Sequence, residues 1–147
     1  MIKYIKIIAV NFLIFIAFVL IIEIIFGYWF DKDNLGPYMR EHRMKKALYT
    51  LKINNEEHRY VYKRNYYGFR GEEIDPKKIE AVIIGGSTTD ERYKPEEFTI
   101  TGYLNKNLKK NGINIEVVNA GIEGQSTRGH LSNFNDWFPK LKEFAPK

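Results

Sequence analysis

The chain is 147 residues long, 44% hydrophobic, 15% aromatic and 28% charged, with no cysteine and a formal charge of +5. Without cysteine, disulfide frameworks, cysteine zinc sites, a thiol nucleophile and a lipid-modified N-terminal cysteine are all excluded. The positive charge is dispersed: Lys3, Lys6 and Glu23 are the only charged side chains up to Phe30, and the 117 residues beyond carry the other +4 among interleaved acids and bases. Such a balance does not call for nucleic acid. Mean hydropathy is −0.38 even though the first 30 residues are almost wholly apolar, so the remainder is hydrophilic. A piece of that size buries roughly 60–68% of its unfolded surface when compact, which suits one small core and not two.

Ile7–Phe30 is a 24-residue apolar run broken mainly by Asn11, Glu23 and Gly27. At about 1.5 Å per helical residue it crosses a hydrocarbon layer of about 30 Å with some tilt. A core helix of so small a domain would show a polar face, and this run has none. A secretory signal would have a shorter apolar stretch, followed by small residues. Here the bulky Tyr28-Trp29-Phe30 follow Gly27, and such aromatics suit a membrane–water interface. The expectation is an uncleaved, single-span anchor in the lipid bilayer, covering residues 1–30. Basic residues flank both ends, with Lys3 and Lys6 on one side and Lys32, Arg40, Arg43, Lys45 and Lys46 on the other, so charge alone does not orient it. Glu23 is read either as a polar contact to a partner helix or as a tolerated, protonated residue about two turns from water.

Residues 31–78 read as a juxtamembrane stalk and linker. Gly36-Pro37 closes an entry turn, and Met39–Ile53 is assigned to a helix with sparse apolar members at Met44, Leu48, Leu51 and Ile53. Tyr60-Val61-Tyr62 alternates like a short strand. Gly68 and Gly71 then stand at turn-like spacing in Asn65–Gly71.

From Ile79 the pattern sharpens. Ala81-Val82-Ile83-Ile84 is a short, continuously apolar strand, ended abruptly by Gly85-Gly86-Ser87-Thr88-Thr89. Pro95-Glu96-Glu97 has the chemistry of a helix start, and Lys109-Lys110-Asn111-Gly112 that of a helix stop. Ile113–Val118 is a second strand, Asn119–Gly124 a glycine-rich turn, and Ser126 or Thr127 caps a last helix carrying Leu131, Phe134, Phe138 and Leu141. Strand, helix, strand, helix at these lengths predicts an α/β fold built on a parallel sheet.

Both glycine-rich turns follow strand ends, where reactive groups gather in open parallel sheets. No lysine follows Gly85-Gly86 as a phosphate loop requires. Position 90 is Asp, where a dinucleotide fingerprint needs Gly, and position 89 is Thr, where a nucleophile elbow needs Gly. A plain structural turn stays open: Ser87 then caps the following turn through its hydroxyl, and Gly124 is simply a positive-φ residue.

Ile84-Gly85-Gly86-Ser87-Thr88-Thr89 resembles the first block of the SGNH (GDSL-type) hydrolases, which places a nucleophilic serine just after the first strand. Val118-Asn119-Ala120-Gly121-Ile122-Glu123-Gly124-Gln125-Ser126-Thr127 is similar to the second block, with Gly124 at the oxyanion-hole glycine. Gly68-Phe69-Arg70-Gly71 resembles a segment that precedes the first strand in membrane-anchored members. The likeness spans about Tyr67 to Lys147 and departs from the family at Gly86, where the block usually has Asp. It implies a flavodoxin-like fold over residues 79–147, with Ser87 as nucleophile and the amides of Ser87 and Gly124 as oxyanion donors. It further implies a C-terminal part outside the cytoplasm and an ester-bearing envelope polysaccharide or lipid as substrate, without cofactor or metal.

Serine needs a base. The resemblance implies a later Gly-x-Asn-Asp block and an Asp-x-x-His block, and neither is present. Asn135-Asp136 has Asn at 133 and sits on a helical pattern. The residues three places before His42, His58 and His130 are Met39, Asn55 and Thr127 rather than Asp. The expectation is therefore the N-terminal fragment of a longer hydrolase, itself nearly inactive. The alternative is a noncatalytic, membrane-anchored interaction protein.

Overall fold

The computed structural model describes residues 2–27, 29 and 35–146. It divides into two units, Met1–Asn34 and Leu35–Lys147.

The first unit is helix α1, Ile2–Phe26. Lys3–Phe26 is long and apolar enough to cross a membrane, with a mean hydropathy of 2.9 and none of the span buried. Its two internal polar side chains are served locally. Asn11 Nδ2 donates to the Ile7 carbonyl (3.0 Å), and the Glu23 carboxylate accepts the Trp29 amide (2.7 Å) just past the helix end. Glu23 thus holds the chain just past the C-terminal end of its own helix by accepting that amide. Tyr28 and Phe30, expected at the interface, lie outside the described residues.

The second unit is mixed α and β. Leu35, Met39, Phe69, Ile79, Val118, Ala120, Ile122, Trp137, Phe138 and Leu141 form its core. This corrects the expected stalk: from Leu35 onward, the segment before residue 79 belongs to the same unit and supplies three of its most buried side chains, Leu35, Met39 and Phe69. The Phe69 ring lies 4.9 Å from that of Trp137, whose Nε1 donates to the Tyr67 carbonyl (2.7 Å).

The helix expected over Met39–Ile53 is also corrected. Residues 37–42 form turns, and Lys46–Ile53 is strand β1, paired antiparallel with β2, Glu56–Lys63. Asn54 and Asn55 join them, both with positive φ (50° and 67°). A two-residue loop of that hand matches the twist of the flanking strands, and asparagine tolerates it better than most residues. Tyr60 and Tyr62, read as strand residues, lie in β2, where Tyr49 stacks on Tyr60 across the hairpin.

The parallel pair is present and short. Strand β3, Ala81–Ile83, pairs in register with β4, Val117–Asn119. Between them run the short helix α2, Ser87–Asp90, and helix α3, Ile100–Lys110. Helix α3 starts later than Pro95-Glu96-Glu97 suggested: Glu96–Phe98 is a single 3-10 turn, and Thr99 caps α3 by accepting the Gly102 amide (3.0 Å). Helix α4, Thr127–Ser132, passes into a wider π turn over Asn133–Trp137 and a 3-10 turn at Phe138–Lys140. Asn135 and Asp136 lie exposed on that turn and not after a strand.

Candidate functional site

Ser87 follows β3 at the start of α2 and is exposed; Gly86 precedes it as the helix cap. Helix α2 is one turn long. The Asp90 amide returns to the Gly86 carbonyl (2.9 Å) and the Glu91 amide to the Ser87 carbonyl (2.9 Å), with Glu91 in the left-handed region at φ 45°. Gly124 lies in the loop after β4, exposed and at φ 79°, within a turn closed by the Gln125 amide on the Ile122 carbonyl (3.2 Å).

The two loops are laced together. The Ala120 amide donates to the Ile83 carbonyl (2.8 Å), and the Ile122 amide to the Gly85 carbonyl (3.0 Å). A Cβ on Gly86 would stand 3.1 Å from the Gln125 carbonyl oxygen, and one on Gly121 would stand 2.7 Å from the Thr89 carbonyl carbon. Glycine at 86 and 121 therefore lets the second loop ride directly on the first. At Gly124 a Cβ would meet nothing within 4 Å, so that glycine answers to backbone conformation and leaves open space beside it.

A cleft of about 470 Å³ opens beside Ser87, bordered also by Arg92, Tyr93, Ile100 and Glu123. Tyr93 and Ile100 give it apolar walls. Arg92 pairs with Glu123, and Lys94 with Glu91 (2.6 Å). A second cleft, about 350 Å³, runs along the outer side of β4 past Glu96, Thr101 and Asn105, and does not include Ser87.

Beneath the Ser87 turn lies a charge cluster that the sequence reading passed over. The Asp90 side chain is fully buried and accepts Arg64 Nη1 (3.0 Å) and the Tyr62 hydroxyl (2.8 Å). Arg64 also donates through Nη1 to the Gly121 carbonyl (2.6 Å), and through Nε and Nη2 to the Gly68 carbonyl (2.9 and 2.6 Å). Arg70 donates to the Asp90 carbonyl, to the Lys94 carbonyl (2.6 Å) and to Glu96 Oε2 (2.7 Å). Burial pushes the Tyr62 phenol up, against the lowering effect of Arg64. The Asp90 Oδ2 atom has no hydrogen-bond partner among the described residues; Arg92 Nε stands 3.8 Å away, too far for one. The signal available in the sequence was an arginine on either side of the Gly68 turn, together with an aspartate three residues after the serine.

No base reaches Ser87: among the described residues, no His, Asp or Glu side chain is hydrogen-bonded to its hydroxyl. His130 is half-buried on α4 with Nε2 unpartnered, His42 packs edge-on to Tyr38, and His58 lies exposed near Glu56. Among the described residues no group of His, Asp or Glu could hold a metal ion.

No family profile, curated protein or solved structure matches this chain.

Proposed function

We propose that the chain is the nucleophile-bearing part of a membrane-anchored serine hydrolase of the SGNH type, acting on esters of an envelope polysaccharide or lipid. The observation that supports this most is the pairing of two loops at successive parallel strand ends, one presenting an exposed Ser87 and the other an open, positive-φ Gly124. In this reading Ser87 Oγ attacks the acyl carbon. The amides of Ser87 and Gly124 donate to the oxygen that becomes negative, each such donor being worth about 2.7–4 kcal/mol. The alcohol leaves and the acyl group stays on Ser87 until water or a second hydroxyl takes it. The Ser87 proton needs an acceptor that none of the described residues supplies, so the chain by itself captures a tetrahedral mimic but does not turn over. Helix α1 is the anchor in a single-pass arrangement, with the second unit outside the cytoplasm.

An arylboronic acid tests this, because boron accepts a serine oxygen and becomes tetrahedral. The expected result is a Ser87-dependent boron-11 signal for the tetrahedral adduct, absent in Ser87→Ala. Hydrolysis of short acyl esters should not exceed that of Ser87→Ala. No adduct at Ser87 would reject the reading, and brisk Ser87-dependent turnover would reject the missing base.

The absence of a base at Ser87 favours a second reading, a noncatalytic anchored interaction protein. Failure of the boronic acid together with stable folding would select it.

A further inference from the structure

The Ser87 loop and the Gly124 loop issue from different strands, and the backbone bonds that lace them, from the Ala120 amide to the Ile83 carbonyl and from the Ile122 amide to the Gly85 carbonyl, lie before Ser87 and before Gly124. Arg64 touches both. Its Nη1 bonds Asp90 Oδ1 (3.0 Å), three residues after Ser87, and the Gly121 carbonyl (2.6 Å), three residues before Gly124. The rest of the guanidinium is tied to the Gly68 carbonyl (2.9 and 2.6 Å), so the fork is immobilised from a third side. The Arg64 and Asp90 side chains are 2% and 0% exposed, which removes water as a competitor for these bonds. A guanidinium is planar and presents fixed donors to several acceptors at once; an ammonium on a flexible stem does not.

We infer that Arg64, acting through Asp90 and the Gly121 carbonyl, is a positioning residue for the spacing of the Ser87 and Gly124 amides, beside the backbone bonds and the Asn119 side chain that also join the two loops. The inference rests on the hydrolase reading of those two amides and adds what holds them in register. Oxyanion donors are effective only within hydrogen-bond distance of one oxygen, so a shift of either loop by about an ångström separates them. Arg64 makes no contact with substrate in this role.

The chain has no cysteine, so Ser87→Cys introduces a unique thiol whose deprotonation creates an anion at the nucleophile position. The full-length, nitrogen-15-labelled chain in detergent micelles is titrated, with thiolate absorbance and the Gly124 amide resonance read together. The Gly124 amide is expected to move with the thiolate in the Ser87→Cys parent. With Arg64→Lys added, which keeps the charge, the thiolate still forms but the Gly124 response falls to less than about half. Asp90→Asn, which keeps the shape, serves as a second variant should Arg64→Lys not fold. Leu141→Ala, a core change away from the clasp, should leave the coupling intact and so separates positioning from general loss of stability. Equal Gly124 responses with and without Arg64 overturn the inference alone. No response in the parent removes the paired-amide reading, and the inference with it.

Discussion

Arg64 and Asp90 stand 26 residues apart in sequence and meet where water is excluded. A pair of that kind contributes little net stability over an apolar replacement, yet losing one partner costs about 3–5 kcal/mol because the other is stranded. Here the stranded group would lie under the Ser87 turn, so the cluster couples the fold to the candidate site. The same cationic side chain acts on His42, which is half-buried beside Tyr38. Burial lowers the His42 pKa first, Arg64 and Lys45 lower it further, and Glu41 and Asp90 oppose them. The folded protein therefore binds fewer protons at this site than the unfolded chain, whose imidazole titrates near about 6.5. The stability contributed by neutral His42 is present above that value and is lost as pH falls through the lower folded pKa. Denaturation midpoints measured from about pH 7.5 down to about pH 5 should drop more steeply for the parent than for His42→Gln. Parallel curves would show that His42 protonation is not felt by the fold.

At the scale of elements, the edge of β4 away from β3 meets groups from other parts of the chain. The outer edge of β4 is sealed: the Arg70 amide donates to the Asn119 carbonyl (2.9 Å), while the Asn105 side-chain amide meets both backbone groups of Val117 (2.8 and 3.2 Å). Asn105, on α3, thus stands in for a neighbouring strand and ties helix to sheet. Asn105→Ala strands the Val117 N–H and C=O inside the structure, and each unpaired buried group costs about 1–3 kcal/mol. Urea denaturation should show a loss in that range with little change in slope; a loss below about 0.5 kcal/mol would mean water replaces the amide.

The hairpin is where element-level reading went wrong. Met44, Leu48 and Leu51 fit helical spacing, but Ala47, Tyr49 and Leu51 alternate equally well, and over residues 46–52 the half-buried positions are those three. The deciding sign was Asn54-Asn55, a positive-φ turn pair placed just before Tyr60-Val61-Tyr62. The start of α3 slipped for a related reason: proline and two acids make a plausible first turn, but the side chain that bonds the free amide belongs to Thr99.

For the molecule as a whole, α1 is a unit of its own, an apolar helix with exposed side chains along its length. Asn11 Nδ2 and a Glu23 carboxylate oxygen find partners within the segment, as suits a spanning helix. The chain is expected to remain with the membrane through carbonate extraction, and to be released by high salt neither before nor after it. Protease added to intact spheroplasts should cut within residues 35–147. Release by salt would reduce the anchor to a surface contact, and full protection would reverse the proposed orientation.

The apolar helix α1, the existence of a parallel pair and the glycine-rich loops at Ser87 and Gly124 were legible in the sequence, because each is written in contiguous residues; the second strand was expected over Ile113–Val118 and lies at Val117–Asn119. An unbroken apolar run, a β-rich apolar stretch and a glycine-punctuated turn are local statements, and local propensity with burial decides them. The structure alone decided three other matters: that the segment from Leu35 to 78 belongs to the second unit and supplies part of its core, that β1 is a strand, and that Arg64, Arg70 and Asp90 meet under the serine turn. The first and third depend on partners tens of residues distant, such as Phe69 against Trp137 or Arg64 against Gly121, and β1 on its pairing with β2 across the Asn54-Asn55 turn. The free energy of a buried contact belongs to the pair and its surroundings, and for the core and the charge cluster no short stretch of sequence contains both halves.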